Sequence, residues 1–337
     1  MLKRFFFLLL VPFIMCACTK NNVEEISFSS WGSITETSIL NKLIVDYEKE
    51  NPNIKINFIH IPQNYFQKIH LLFASSTAPD VIFINNLYLP VYASQLEDLS
   101  RTESLADFYP QALNALKYKG RLYAIPRDIS NFVFFYNKNI TGNIDSDWTF
   151  EDFEKLIKTT STKEHFGVSY ERDVYLASPY IKTLGFDNGI NFYKNLEGKY
   201  APTPAQTGSS TQAQMFLDGK LGLYLSGRWM FPKISETAKF PYGIVTFPGT
   251  VTSDASGWAI YKNSKHKKEA EKFVRYLSSK ESIDYFTDSG LIIPARVDSS
   301  KKIKEQAFID AIQKSVPNIT DKNFNKTRDE LNKKLFK

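Results

Sequence analysis

Cysteine is almost absent. Only Cys16 and Cys18 occur among 337 residues, so the chain beyond them holds no disulfide and rests on the size of its core. Histidine is scarce too, and His60, His70, His165 and His266 are too scattered to suggest a metal centre. Neither a Gly-x-Ser-x-Gly elbow nor a His-Glu-x-x-His helix occurs. No acid falls in a recognisable catalytic signature, although the paired carboxylates of a glycoside hydrolase leave none to find. Neither charge sign dominates, with 42 Lys and Arg against 36 Asp and Glu. Net charge is +6, and the basic runs at 265–268 and 301–304 fall on predicted helices, as solvated faces. That pattern excludes a nucleic-acid groove. The apolar run Phe5 to Met15 is shorter than the roughly 20 residues that a membrane-spanning helix needs.

That run is still informative. Lys3 and Arg4 precede it, and Cys16 and Ala17 close it, which is the layout of an export signal. The ending Met15-Cys16-Ala17-Cys18 resembles the lipobox of bacterial lipoproteins. The resemblance makes residues 1–18 a signal peptide, Cys18 the lipidated residue, and residues 19–24 a polar tether. A secretory signal cut nearby, with Cys18 incidental, is the alternative. The expected location is the cell envelope, lipid-anchored to the outer face of the cytoplasmic membrane.

Hydrophobic residues at 43% with aromatics at 15% mark a globular chain, long enough for two domains. Ile26 to Trp31 reads as a buried strand. Ser33-Ile34-Thr35-Glu36 is a capping box, and Leu40, Leu43, Ile44 and Tyr47 follow at helical spacing. Strands are predicted at 54–58, 81–84, 121–125, 132–136, 166–170, 221–225 and 258–261. Helices lie between them, and an exposed loop covers 200–212. Lys119-Gly120 is read as a helix-to-strand turn, and 301–337 as a polar helical tail. Strands alternating with helices predict a parallel sheet covered on both faces.

Several segments in order then match one family. They are Phe28-Ser29-Ser30-Trp31-Gly32, Asn51-Pro52-Asn53-Ile54-Lys55-Ile56, Ala74-Ser75-Ser76-Thr77-Ala78-Pro79-Asp80-Val81, Gly120-Arg121-Leu122-Tyr123-Ala124-Ile125-Pro126 and Phe135-Tyr136-Asn137-Lys138. Further on stand Trp148-Thr149-Phe150-Glu151-Asp152-Phe153, Leu225-Ser226-Gly227-Arg228-Trp229, Ser256-Gly257-Trp258-Ala259-Ile260 and Glu269-Ala270-Glu271-Lys272-Phe273. Together they resemble the extracellular solute-binding proteins of ABC importers, in the family that includes maltose-binding protein. The resemblance implies an α/β, two-lobe periplasmic-binding-protein fold (type II-like) with an interlobe cleft and several hinge crossings. Lobe one would be 22–127 plus 253–300, and lobe two 128–252 plus 301–337. Crossings would fall near Pro126 to Phe132, Thr250 to Ser256, and Pro294 to Lys301. It also implies a small-molecule ligand, a sugar or oligosaccharide, with ABC permease subunits as partners, a monomeric state and no cofactor.

A sugar offers apolar faces to aromatic rings and hydroxyls to paired donors and acceptors. Trp31, at the end of the first strand, and Trp229, after a strand-to-helix turn, are the stacking candidates. Trp258 is a further one at a hinge strand, and Trp148 is assigned to packing. Asn85 and Asn86 end a strand, as ligand amides or as turn residues. Asp128 follows Pro126 at the first crossing, where the resemblance implies a ligand contact. Glu36 already has a role in its capping box, Tyr65 lies after the second strand, and Asp80 is expected to serve the backbone. Arg228 departs from the family pattern, and a guanidinium there suits a carboxylated or phosphorylated ligand, or pairs with a nearby acid. Three other readings stay open: a glycoside hydrolase, a glycan-binding surface lipoprotein, and a ferric or anion binder of the same fold. The last uses clustered tyrosines, and consecutive ones at the cleft position are missing.

Overall fold

The computed structural model describes residues 23–103, 105–318 and 321–336. The signal segment and Cys18 lie outside the described residues. Among the described residues thirteen strands occur, in chain order β1 (Glu24–Ser30), β2 (Ile54–His60), β3 (Val81–Asn85), β4 (Lys117–Tyr118), β5 (Arg121–Leu122), β6 (Ile125–Asn131), β7 (Val133–Asn137), β8 (Phe166–Val168), β9 (Leu221–Ser226), β10 (Tyr242–Thr246), β11 (Val251–Ile260), β12 (Ile293–Pro294) and β13 (Ser315–Pro317). The larger sheet has the order β12-β6-β11-β3-β1-β2, with β13 beside β11, and the smaller has the order β10-β7-β9-β8.

The first helix, Ile34–Glu50, starts where the sequence says it should. Ser33 accepts a hydrogen bond from the Glu36 amide while Glu36 caps Ser33 in return, and Leu40, Leu43, Ile44 and Tyr47 are buried. This helix and Tyr65–Ala74 carry the chain between parallel strands, since β1 pairs in parallel with both β2 and β3. The wholly parallel sheet, however, is not what forms. β11 runs antiparallel to β3 and to β6. The reason is that the chain leaves the larger sheet along β6, builds the smaller sheet, and returns along β11 beside it, so the two strands run in opposite directions. β6 passes into β7 through Phe132 alone, and β11 begins shortly after β10. The strand predicted at 258–261 therefore starts earlier, at Val251.

Other local readings also change. Lys119-Gly120 is the turn of a β4–β5 hairpin, with φ of 50° and 81° at its two residues, as a two-residue hairpin of matching twist requires. The loop 200–212 contains a short capped helix, Pro204–Thr207. The tail is not a polar helix throughout. Helix Gln306–Gln313 buries Phe308, Ala311 and Ile312, β13 pairs with the first residues of β11, and helix Phe324–Leu335 follows. That last helix is fastened to residues 173–174, where Arg328 pairs with Asp173 and Asn332 accepts the Val174 amide at 2.8 Å.

Apolar packing holds each sheet. On the larger one, Phe28 meets Trp258 and Phe273 edge-on at 5.4 Å each. On the smaller, Phe134, Phe153, Tyr180 and Phe247 form an aromatic cluster. Fully burying one such side chain contributes ~1.5–3 kcal/mol.

Candidate ligand-binding site

The strand ends and crossings enclose a cavity of about 220 Å³. Trp31 borders it from the turn after β1, and Glu36 from the first turn of the first helix. Residues 127–130 border it from β6, Ser256 from β11, residues 291–293 from β12 and the loop before it, and Arg228 with Trp229 from the turn after β9. The cavity thus lies outside the carboxyl end of a parallel strand, where open α/β sheets bind ligands.

Arg127 organises one wall. It is 4% exposed, its Nε donates to Asp128 Oδ2 at 2.6 Å, and its Nη2 donates to Glu36 Oε1 at 3.2 Å. The guanidinium lies over Phe83, Phe286 and Trp258, at 4.3, 4.9 and 5.7 Å from the ring centres. Burial pushes the Asp128 carboxyl above the ordinary aspartate range, against the pull of Arg127. Arg127 and Asp128 are consecutive, and a regular strand would turn them to opposite faces. Here Ser256 pairs with Asp128 while Gly257 pairs with Pro126, which leaves Arg127 as the extra residue of a bulge. Gly257 permits it, because a Cβ there would sit 2.2 Å from the Ile125 carbonyl oxygen.

The opposite wall is built differently. Trp229 is 43% exposed and meets Phe132 edge-on at 6.2 Å. Its ring folds back over Gly227, where a Cβ would lie 1.9 Å from Cζ3. Trp31, by contrast, is wedged against Phe83, Tyr65 and Phe66, at 4.4, 5.0 and 5.2 Å. Arg228 is 6% exposed. Its Nη1 donates to the carbonyl oxygens of Ile292 at 2.5 Å and Thr287 at 3.4 Å, and burial pulls its pKa below the ordinary arginine value.

The cavity therefore brings together Trp31, Glu36, Asp128, Arg228 and Trp229. It does not include four other predicted residues. Trp258 is 0% exposed and packs among Phe28 and Phe83. Tyr65 is buried, with its hydroxyl on Ser29, and braces Trp31. Asn85 accepts the Tyr88 amide as a turn residue. Asn86 donates to Asp254 Oδ1 at 2.8 Å and accepts the Ala255 amide at 3.2 Å, so it fastens the end of β3 to β11. Each occupies a packed or hydrogen-bonded place away from the cavity wall. Asp80 serves Ser27 and Ser264, and Trp148 is buried with its indole N–H on the Thr246 carbonyl. Arg127 was missed, because only the bulge turns it toward the cavity. Away from the cavity, Tyr175 helps to hold Asp254. Its hydroxyl donates to Asp254, and Asn318 donates to the same carboxylate at 3.0 Å. Among the described residues no cluster of three or more His, Cys, Asp or Glu could hold a metal, and no helix is long and apolar enough to cross a membrane.

Two sheets joined by adjacent crossing strands, with a charged and aromatic cavity beside the crossings, define a two-lobed α/β binding protein. The model of the family described as bacterial extracellular solute-binding protein matches residues 31–283, and the chain belongs to that family. Among its relatives is the maltotriose-binding protein of Pyrococcus abyssi, 20% identical over 283 residues. The match takes in 74% of this chain and spans 61% of that relative's length. The fold is shared with a substrate-binding protein of Listeria monocytogenes solved with cycloalternan, at a TM-score of 0.78 and 22% identity over 92% of each chain. It is shared too with the sugar-binding protein MalE of Xanthomonas citri, at a TM-score of 0.79 and 20% identity, over 93% of this chain and 91% of that one.

Proposed function

We propose that this chain is the substrate-binding lipoprotein of an ABC importer, capturing a carbohydrate between its lobes and delivering it to the permease without chemical turnover. The carrying observation is the composition of one cavity. Trp31 and Trp229 offer aromatic faces from the two sides, and Glu36, Arg127 and Asp128 offer fixed acceptors and donors between them. The relatives named for maltotriose and for galactooligosaccharides support a sugar or oligosaccharide as the ligand. The lobes that close are 22–127 with 253–300 and 128–252 with 301–337, bending at the strands that join the sheets. Cys18 carries the lipid, residues 19–24 form the tether, and the protein acts as a monomer on the outer face of the cytoplasmic membrane.

Turnover of a glycoside does not suit the cavity's acids, because Glu36 and Asp128 are both tied to the one guanidinium of Arg127. A ligand that binds only the native state stabilises it by about 2.7 kcal/mol at a hundredfold excess over its dissociation constant. A thermal-shift screen of oligosaccharides should therefore raise the melting temperature. If no sugar does so while amino acids, peptides or ferric ion do, the carbohydrate assignment is wrong.

A further inference from the structure

Two buried donors in the cavity wall have no acceptor. Arg127 Nη1 and Arg228 Nε are buried without a partner, whereas Glu36 and Asp128 have no buried oxygen left unsatisfied. Two guanidinium donors therefore wait for an acceptor.

The two arginines differ in how their charge is balanced. Arg127 is held between two carboxylates. Arg228 has one acid in range, with Glu305 Oε2 at 4.0 Å from Nη2, beyond hydrogen-bonding distance. Its Nη1 faces backbone carbonyls. The edge formed by Nε and Nη2 is therefore the side of the fork without a hydrogen bond, and that edge matches the two oxygens of a carboxylate. A guanidinium removed from water without a close counterion is costly, and an anionic ligand would supply one.

We infer that the sugar bound here carries a carboxylate, as a uronic acid residue does, and that Arg228 receives it while Arg127 Nη1 donates to a neighbouring ring oxygen or hydroxyl. This rests on the carbohydrate reading above and names the class of sugar within it. Phosphate would meet the same fork, but the donor set is a single edge plus one N–H, which suits a planar two-oxygen group better than a tetrahedral one.

Calorimetric titration of the full chain in mild detergent tests this with four probes: digalacturonic acid, its methyl ester, galactobiose and maltotriose. The acid should bind at least tenfold more tightly than its ester and than galactobiose. Arg228→Met should narrow the acid-to-ester ratio to below threefold. The ester comparison needs no variant, so it decides the matter even if Arg228→Met fails to fold. Equal binding of acid and ester, through Glu305 moving in to pair with Arg228, would overturn the inference. Tight binding of maltotriose or galactobiose with none of the acid would overturn it while leaving the carbohydrate reading intact. No binding of any of the four would remove both.

Discussion

The two walls of the cavity are built on opposite principles. The Trp31 wall is packed from behind, with three aromatic rings against the indole and a buried Glu36–Arg127–Asp128 group standing over Phe83 and Trp258. The Trp229 wall is a short turn after β9 whose indole is 43% exposed and lies over a glycine. The first wall is fixed before ligand arrives, and its residues belong as much to the core as to the site. In the second, Arg228 is held by the Ile292 and Thr287 carbonyls, but the Trp229 ring meets only Phe132 and Gly227 and leaves much of its face to solvent. Such a division lets one lobe present a rigid template while the other closes on it, which lowers the ordering cost of binding.

The division predicts that substitutions in the first wall change stability and those in the second change affinity. The largest effect should follow Arg127→Met, which leaves Asp128 and Glu36 without their shared partner. Breaking a buried ion pair on one side costs about 3–5 kcal/mol, and chemical unfolding should show it as a lowered midpoint. A loss below about 1 kcal/mol would mean that the first wall is not part of the core. Next in size is Trp229→Ala. It should weaken the best sugar tenfold or more, roughly 1.4 kcal/mol, with the melting temperature of the free protein unchanged. Unfolding of that variant would place Trp229 in the core and erase the contrast.

Gly227→Ala sharpens the comparison at smaller scale. A methyl group would displace the Trp229 ring from its seat, so affinity should fall by less than in Trp229→Ala while stability holds. An unchanged affinity would show that the seat does not orient the ring.

The smallest effect concerns the helix fastened to the Trp229 side. Burial raises the Asp173 carboxyl, but Arg328 and the Tyr175 amide outweigh it and leave it below the ordinary aspartate range. The unfolded chain binds that proton more readily than the folded one. The contribution of Asp173 is thus present above about pH 4 and lost as pH falls through its depressed value. Asp173→Asn should cost under about 1 kcal/mol at pH 7, and progressively less as pH falls below about 4. A cost that persists in acid would assign the effect to packing.

Much of this was legible in the sequence where the signal is local. The Ser33–Glu36 capping box and the buried stripe of the first helix need no distant partner, and Trp31 and Trp229 were found from strand-end positions. What stayed hidden depends on partners far along the chain. The bulge at Arg127 exists only because β11 pairs with β6, so an alternating pattern could not place that residue. Asn86 looked like a free amide at a strand end until Asp254, on a distant strand, took it up. Trp258 carried the same letter as Trp229, yet Phe28, Phe83 and Arg127 close over it from separate segments.

The most direct test of the central claim is tryptophan fluorescence during titration with the best sugar from the thermal screen, read in the parent chain and in Trp229→Ala. The parent should show a saturable shift in emission, and the variant a shift reduced by half or more with a dissociation constant at least tenfold higher. An equal shift at an equal dissociation constant would contradict the account, since the sugar would then bind without the exposed wall that is held to close on it.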